Sequence, residues 1–319
     1  MRFFFSQAIV VVATLTFQTN ATAAKGIELD SREYKLMLVP ERFAGSTPQQ
    51  TVRRFVRDQL EPAVRRAFGD EAADELKEKG FDLDERRSVR FWDTDDCALI
   101  RSGFALRERV DLSDEGRPAS EPEITLKFRS SDLFLTANVQ LAARAGAKDA
   151  ESKFEEDLGP LAVRTASGEA IVSMPRSSRS QFSRSTTQTV DRHAVPQTLK
   201  EVEDLYPKFD DDLHLVAGES DMSAKLAPSE EYRELVYKSS KIDLANDMKT
   251  SFALTIWYEG VDNRDRPALA EISFSYDTTD GAVPAEAARR GPGLFLAMQD
   301  LDWADPGQPT KTALAGCAG

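Results

Sequence analysis

The sequence predicts an α+β domain whose antiparallel β-sheet closes, or nearly closes, into a tunnel-like barrel under covering helices. Short stretches of period-two alternation recur along most of the chain, which is the strand signature. Helical spacing is confined to a few segments, chiefly 48–79, whose apolar stripes can cover a sheet from outside. The third observation concerns the strands at 104–110 and 124–129. They put Arg107, Arg109, Lys127 and Arg129, with Thr125, on one face, and Phe104, Leu106, Val110, Ile124, Leu126 and Phe128 on the other. One face then needs apolar cover, and the other concentrates like charge that an anion would relieve.

Along the chain, residues 1–24 read MRFFFSQAIVVVATLTFQTNATAA. Arg2, an apolar run to about Phe17 and an A-x-A pattern at Ala21 and Ala23 make a secretory signal peptide over 1–23. Its apolar part is short for a bilayer span, and a retained N-terminal anchor is the alternative. The remaining residues, 24–319, form one domain because no low-complexity linker divides them. No later stretch has the length of a membrane helix, so the mature protein is expected to be soluble and secreted or periplasmic.

The first strand, 31–39, alternates Ser31, Glu33, Lys35 and Met37 against Arg32, Tyr34, Leu36 and Leu38. Thr47 as N-cap, Pro48 at the first helical position and Gln50 then open a helix. Val52, Phe55, Val56 and Leu60 form its stripe, and Pro62 bends or breaks it before 63–79 resumes it. Strands follow at 88–92, 104–110 and 124–129. The stretch 132–150 is ambiguous, and 153–158, KFEEDL, alternates again. Residues 176–190 make a strand or loop in which Arg184, Thr186 and Gln188 share a face. Leu199, Val202 and Leu205 give helical spacing within 194–228, which reads as an insertion, flexible over 210–231. Strands at 234–244, 251–258 and 268–276 come last, the final two joined by the turn-rich GVDNRDRP. Helical segments at 284–290 and 292–301 close the chain.

A formal charge of −13 argues against a nucleic-acid partner, while leaving local cation clusters free to bind a small anion. The two cysteines, Cys97 and Cys317, would pin the C-terminal tail near FWDTDD if they pair. The two histidines, His193 and His214, have no zinc-ligand spacing. Several charged residues also have an ordinary reading. Glu33 with Lys35 suits a solvated strand pair, and Glu155 with Asp157 suits an acidic surface run. Asp93 and Thr94 are expected to satisfy backbone donors, and Trp92, Trp257 and Trp303 to pack.

The segment 91–109, FWDTDDCALIRSGFALRER, followed by EITLKFR at 123–129, resembles the centre of the CYTH superfamily, the triphosphate tunnel metalloenzymes. Members read roughly Y-F-D-T, then G-x-A-L-R-x-R, then T-L-K. Their first strand, E-x-E-x-K, has Ser31, Glu33 and Lys35 here; a middle strand, R-x-E-x-E, has Lys153, Glu155 and Asp157; the last, E-x-E, has Glu271 and Ser273. The resemblance implies a phosphate-binding set of Lys35, Arg107, Arg109, Lys127 and Arg129, with Arg184 as an addition. It also implies a metal set of Glu33, Glu155, Asp157 and Glu271 for Mg2+ or Mn2+, and catalytic roles for Glu33, Lys35, Arg107, Arg109 and Lys127. Serine at 31 and 273 removes two carboxylates and should weaken metal binding. The implied function is a divalent-metal-dependent phosphohydrolase acting on triphosphate or polyphosphate compounds. A noncatalytic phosphate-binding protein of the same fold is the alternative, and an envelope protein whose sheet supports protein contacts is a third.

Overall fold

The computed structural model describes residues 26–45, 48–164, 170–172, 177–245, 248–260, 265–308 and 310–315. The expected leader, the N-cap Thr47 and Cys317, and with it the pairing of Cys97, lie outside the described residues.

In chain order the strands are β1 (Ser31–Leu38), β2 (Phe81–Thr94), β3 (Phe104–Asp111), β4 (Glu123–Ser130), β5 (Lys148–Pro160), β6 (Ala162–Arg164), β7 (Ala170–Val172), β8 (Ser178–Thr189), β9 (Leu226–Pro228), β10 (Tyr232–Ser239), β11 (Ile242–Ala245), β12 (Met248–Glu259) and β13 (Pro267–Asp277). The helices are α1 (Pro48–Phe55), α2 (Glu61–Phe68), α3 (Asp70–Lys79), α4 (Ala98–Arg101), α5 (Leu133–Asn138), α6 (Leu199–Leu205), α7 (Phe209–Ala217) and α8 (Ala285–Gln299).

Nine strands form a ring in the order β10-β12-β13-β1-β5-β8-β4-β3-β2, and β2 pairs with β10 to close it. β9 extends β2 and β11 extends β12 outside the ring, while β6 and β7 make a separate hairpin. All pairings in the ring are antiparallel except β1 with β5, so the sheet is mixed rather than purely antiparallel. That pairing sets Ser31 beside Glu155 and Glu33 beside Asp157. Closure leaves the ring with no free edge.

Alternation divides each strand between the two surfaces. Outward from β1, β12 and β13 point Tyr34, Leu36, Leu38, Phe252, Leu254, Ile256, Ile272 and Phe274, all buried under Val52, Phe55, Leu60, Val64, Leu76, Leu294, Phe295 and Met298 of the helical layer. Outward from β3 and β4 point Phe104, Leu106, Ile124, Leu126 and Phe128, covered by Val139 and Leu141 and by Leu199, Val202, Leu205, Phe209 and Leu213. The region 194–228 is therefore a packed helical cover over most of its length, rather than a flexible insertion. Its expected mobile part contains α7, whose Phe209 and Leu213 are buried.

Pro62 lacks the N–H that a helix interior needs. The helix widens before it into a π turn, Val56–Leu60, and resumes as α2 with the proline in its first turn. The ambiguous 132–150 holds α5, capped by Asp132 accepting from the backbone N–H of Phe134 and Leu135, and then enters β5.

Candidate functional site

The barrel interior is a cavity of ≈ 790 Å³ lined by polar side chains from the ring strands and by residues of the C-terminal segment after α8. That is ample for a small polyanion. Its lining holds ten lysines and arginines against eight carboxylates, in a protein whose overall charge is −13. The barrel is a cation-rich tunnel.

β3 and β4 build the cationic wall. Ala105 stands beside Lys127, Arg107 beside Thr125, and Arg109 beside Glu123. The turn before β3 is held by Gly103, whose carbonyl accepts from the backbone N–H of Arg129 at 2.9 Å. Asp93 fixes the preceding α4: one carboxylate oxygen accepts from the N–H of Thr94 (2.7 Å) and Leu99 (2.9 Å), the other from Ile100 (3.0 Å). Asp93 and Thr94 are structural, as expected. The lining set thus includes Lys35, Arg107, Arg109, Lys127 and Arg129, and also Glu33, Glu155, Asp157 and Glu271.

Arg184 does not join them. Ser183 and Ser185 take the inward positions of β8, which turns Arg184 outward, its guanidinium 4.7 Å from the centre of the Phe154 ring. Thr186 and Gln188 do share its face, but that face lies under the helical cover: Thr186 Oγ1 donates to the Leu141 carbonyl, and Gln188 Nε2 to the Leu205 carbonyl.

Two carboxylates organise the cations. Asp157 accepts from Lys35 Nζ at 2.7 Å and from Arg129 Nη2 at 2.9 Å, with Lys127 Nζ 3.6 Å away. Desolvation would raise its pKa, but Lys127, Lys35 and Arg129 together hold it well below the carboxylate range. Lys35 also reaches Glu33 at 2.9 Å. Desolvation of its ammonium is outweighed by Asp157 and Glu33, so its pKa is raised.

Glu234 of β10 is the second organiser, and 1% of its side chain is exposed. It accepts from Trp257 Nε1 at 2.9 Å and faces Arg109 at 3.4 Å and Arg87 at 3.8 Å. Burial alone would raise its pKa; Arg109, Lys311 and Arg107 bring it down to about 2.

Arg107 differs from its neighbours. Among the described residues no carboxylate lies within ion-pair distance of it, its nearest polar contact being Thr125 Oγ1 at 3.5 Å, and its enclosed Nε has no acceptor. Desolvation, with Arg109 alongside, pushes its pKa down to about 9. Desolvation likewise lowers the pKa of Lys127, reinforced by Lys35 and Arg129. This wall carries positive charge that the protein does not fully neutralise.

The four carboxylates expected to hold metal are in the tunnel but are not gathered as a ligand set. Lys35 bridges Glu33 and Asp157, Lys311 Nζ sits 2.8 Å from Glu271, and Glu155 accepts from Ser31 Oγ at 3.1 Å. Among the described residues no three acidic, histidine or cysteine side chains come together to hold an ion. Ser273 stands beside Lys35 across the β1–β13 pairing, where a second carboxylate of β13 would lie. As arranged, these residues do not fit a divalent cation.

Three tunnel residues carry no motif. Arg87 and Glu234 line it from β2 and β10, where the strand YRELVYKS alternates Glu234, Val236 and Lys238 inward; that alternation is the available signal. Lys311 comes from outside any strand, and nothing in its local sequence announces it.

No family model matches the chain, and no curated protein matches it. Among solved structures it is similar to HpAC1 from Hippeastrum, an adenylyl cyclase candidate described as having a dominant triphosphatase activity. The identity is 11%, covering 90% of this chain and 95% of that one, with a TM-score of 0.43. It is also similar to an adenylate cyclase candidate from Bacillus halodurans, at 11% identity over 80% of this chain and 82% of that one, with a TM-score of 0.33.

Proposed function

We propose that the tunnel binds a small anion carrying consecutive phosphate groups, a triphosphate or short polyphosphate. The observation that carries this is Arg107, a desolvated guanidinium without a carboxylate partner among the described residues, on the same face of β3 as Arg109 and opposite Thr125 of β4, the strand that also carries Lys127 and Arg129. Guanidinium and ammonium groups on adjoining strands suit phosphate oxygens, which accept several charge-assisted hydrogen bonds at once. The hydroxyls of Thr125 and Thr187, 2.9 Å apart, extend the donor set. The acidic exterior would repel long nucleic acids while the enclosed cations keep their attraction for a small anion. The signal-like leader supports the reading that this binding takes place outside the cytoplasm, in a secreted or periplasmic protein.

A second reading is hydrolysis of the bound phosphoric anhydride with Mg2+ or Mn2+. What favours it is that Glu33, Glu155, Asp157 and Glu271 stand in the same tunnel as the cations. Orthophosphate release from tripolyphosphate and ATP, with Mg2+, Mn2+ or EDTA, decides between the two when read beside thermal stabilisation by the same compounds. Stabilisation without release supports the binding protein. Metal-dependent release that an Arg107→Ala, Arg109→Ala variant loses supports the enzyme.

A further inference from the structure

In a tunnel that must accept a polyanion, every inward carboxylate is a repulsive charge unless something cancels it. Glu271 is 4% exposed and stands opposite Met37 on β1, one inward position along the strand from Lys35, and its own ion-pair partner is not among the three cations around Asp157. Its partner is Lys311, which belongs to the segment following α8 and not to the barrel.

That segment is fastened to the barrel end. The backbone N–H of Val39 donates to the Trp303 carbonyl, and that of Asp305 to the Met37 carbonyl, each at 2.9 Å. Ala315 and Leu314 pack with Met37, Phe91, Trp257 and Leu269, and between these anchors 306–308 and 310–313 line the tunnel. Lys311 delivers an ammonium to the wall from there. Its charge also reaches Glu33 and Glu234, lowering the pKa of both.

We propose that Lys311 is a built-in counter-cation, through which the tunnel binds a phosphate chain without a divalent metal. With Lys35 between Glu33 and Asp157, it puts an ammonium at the carboxylates where an ion would otherwise be needed to screen the ligand. This inference rests on the anion-binding reading, and it explains why four tunnel carboxylates coexist with a phosphate-binding wall while making no ligand set.

The test is calorimetric titration of the full chain with tripolyphosphate, in EDTA and in Mg2+, for the wild type, Lys311→Met and Lys311→Arg. The wild type is expected to bind with a Kd within about twofold in the two conditions, while Lys311→Met binds roughly tenfold more weakly in EDTA. Mg2+ should restore much of that loss, and Lys311→Arg should bind as the wild type does. A titration with Mn2+ alone supplies a readout without phosphate: a site absent from the wild type should appear in Lys311→Met and vanish in Lys311→Met, Glu271→Gln. Wild-type binding that requires metal, or Lys311→Met binding as tightly as the wild type in EDTA, would overturn the inference while leaving the tunnel a phosphate site. No binding by the wild type in either condition would overturn both readings together.

Discussion

Arg107 and Glu234 show opposite balances of the same forces. Glu234 is a carboxylate that three cations make favourable in a buried place, whereas Arg107 is a cation that its surroundings disfavour. Replacing Arg107 with methionine should therefore raise the stability of the ligand-free protein, by about 1 kcal/mol once screening by tunnel water is allowed for. The same change should abolish thermal stabilisation by tripolyphosphate. Loss of stability would mean that Arg107 is neutralised within the protein.

Glu234→Gln should act the other way, costing about 3 kcal/mol at pH 7 by leaving Arg109 without its nearest carboxylate. The sign with pH follows from linkage. A folded pKa of about 2 lies below the unfolded value of roughly 4.3, so this stabilisation is complete above the unfolded pKa and is lost as pH falls toward the folded one. Urea denaturation at pH 7 and pH 3 should find the gap between wild type and variant narrowed by about half at the lower pH. An unchanged gap would show that Glu234 contributes through packing rather than charge.

At the scale of elements, β3 and β4 were legible because one motif carries both their fold and their chemistry. ALRER and TLK fix the alternation that puts apolar residues under the helical cover and cations in the tunnel. The turn between α4 and β3 is equally determined. Gly103 has a φ of +81°, and a Cβ added there would meet the Arg129 carbonyl at 2.9 Å. Gly103→Ala is expected to cost about 3 kcal/mol through strain and overlap. Because the displaced backbone is that of Arg129, the folded fraction should also bind tripolyphosphate more weakly. Thermal melts paired with calorimetry check both effects, and unchanged affinity would remove Arg129 from the ligand's surroundings.

Elements without a motif were harder to place. Arg184, Thr186 and Gln188 share a face in sequence, but which face a strand turns inward depends on pairing register, and a single-residue shift reverses it. The mixed character of the sheet was hidden for the same reason, since the parallel β1–β5 pairing joins segments more than a hundred residues apart. The region 194–228 has helical spacing only at Leu199, Val202 and Leu205. Its role as cover follows from the apolar face of β3 and β4 that it must bury.

For the whole molecule, closure of nine strands turns scattered charged positions into one enclosed site. Lys35, Arg107, Arg109, Lys127 and Arg129 were legible as inward-facing cations from alternation and the CYTH-like motifs together. Lys311 was not, because its place depends on the path of the C-terminal segment into the barrel rather than on strand periodicity. Under the proposed reading, net acidity outside and an excess of cations within would favour a small, highly charged anion over a long one.

In the proposed function, tripolyphosphate enters this tunnel and meets Arg107. Calorimetric titration of the protein with tripolyphosphate, beside Arg107→Met, measures that directly. Saturable binding near one per chain in the wild type, weakened at least about tenfold in the variant, is the predicted result. Absence of binding by the wild type, or equal binding by the folded variant, would contradict it.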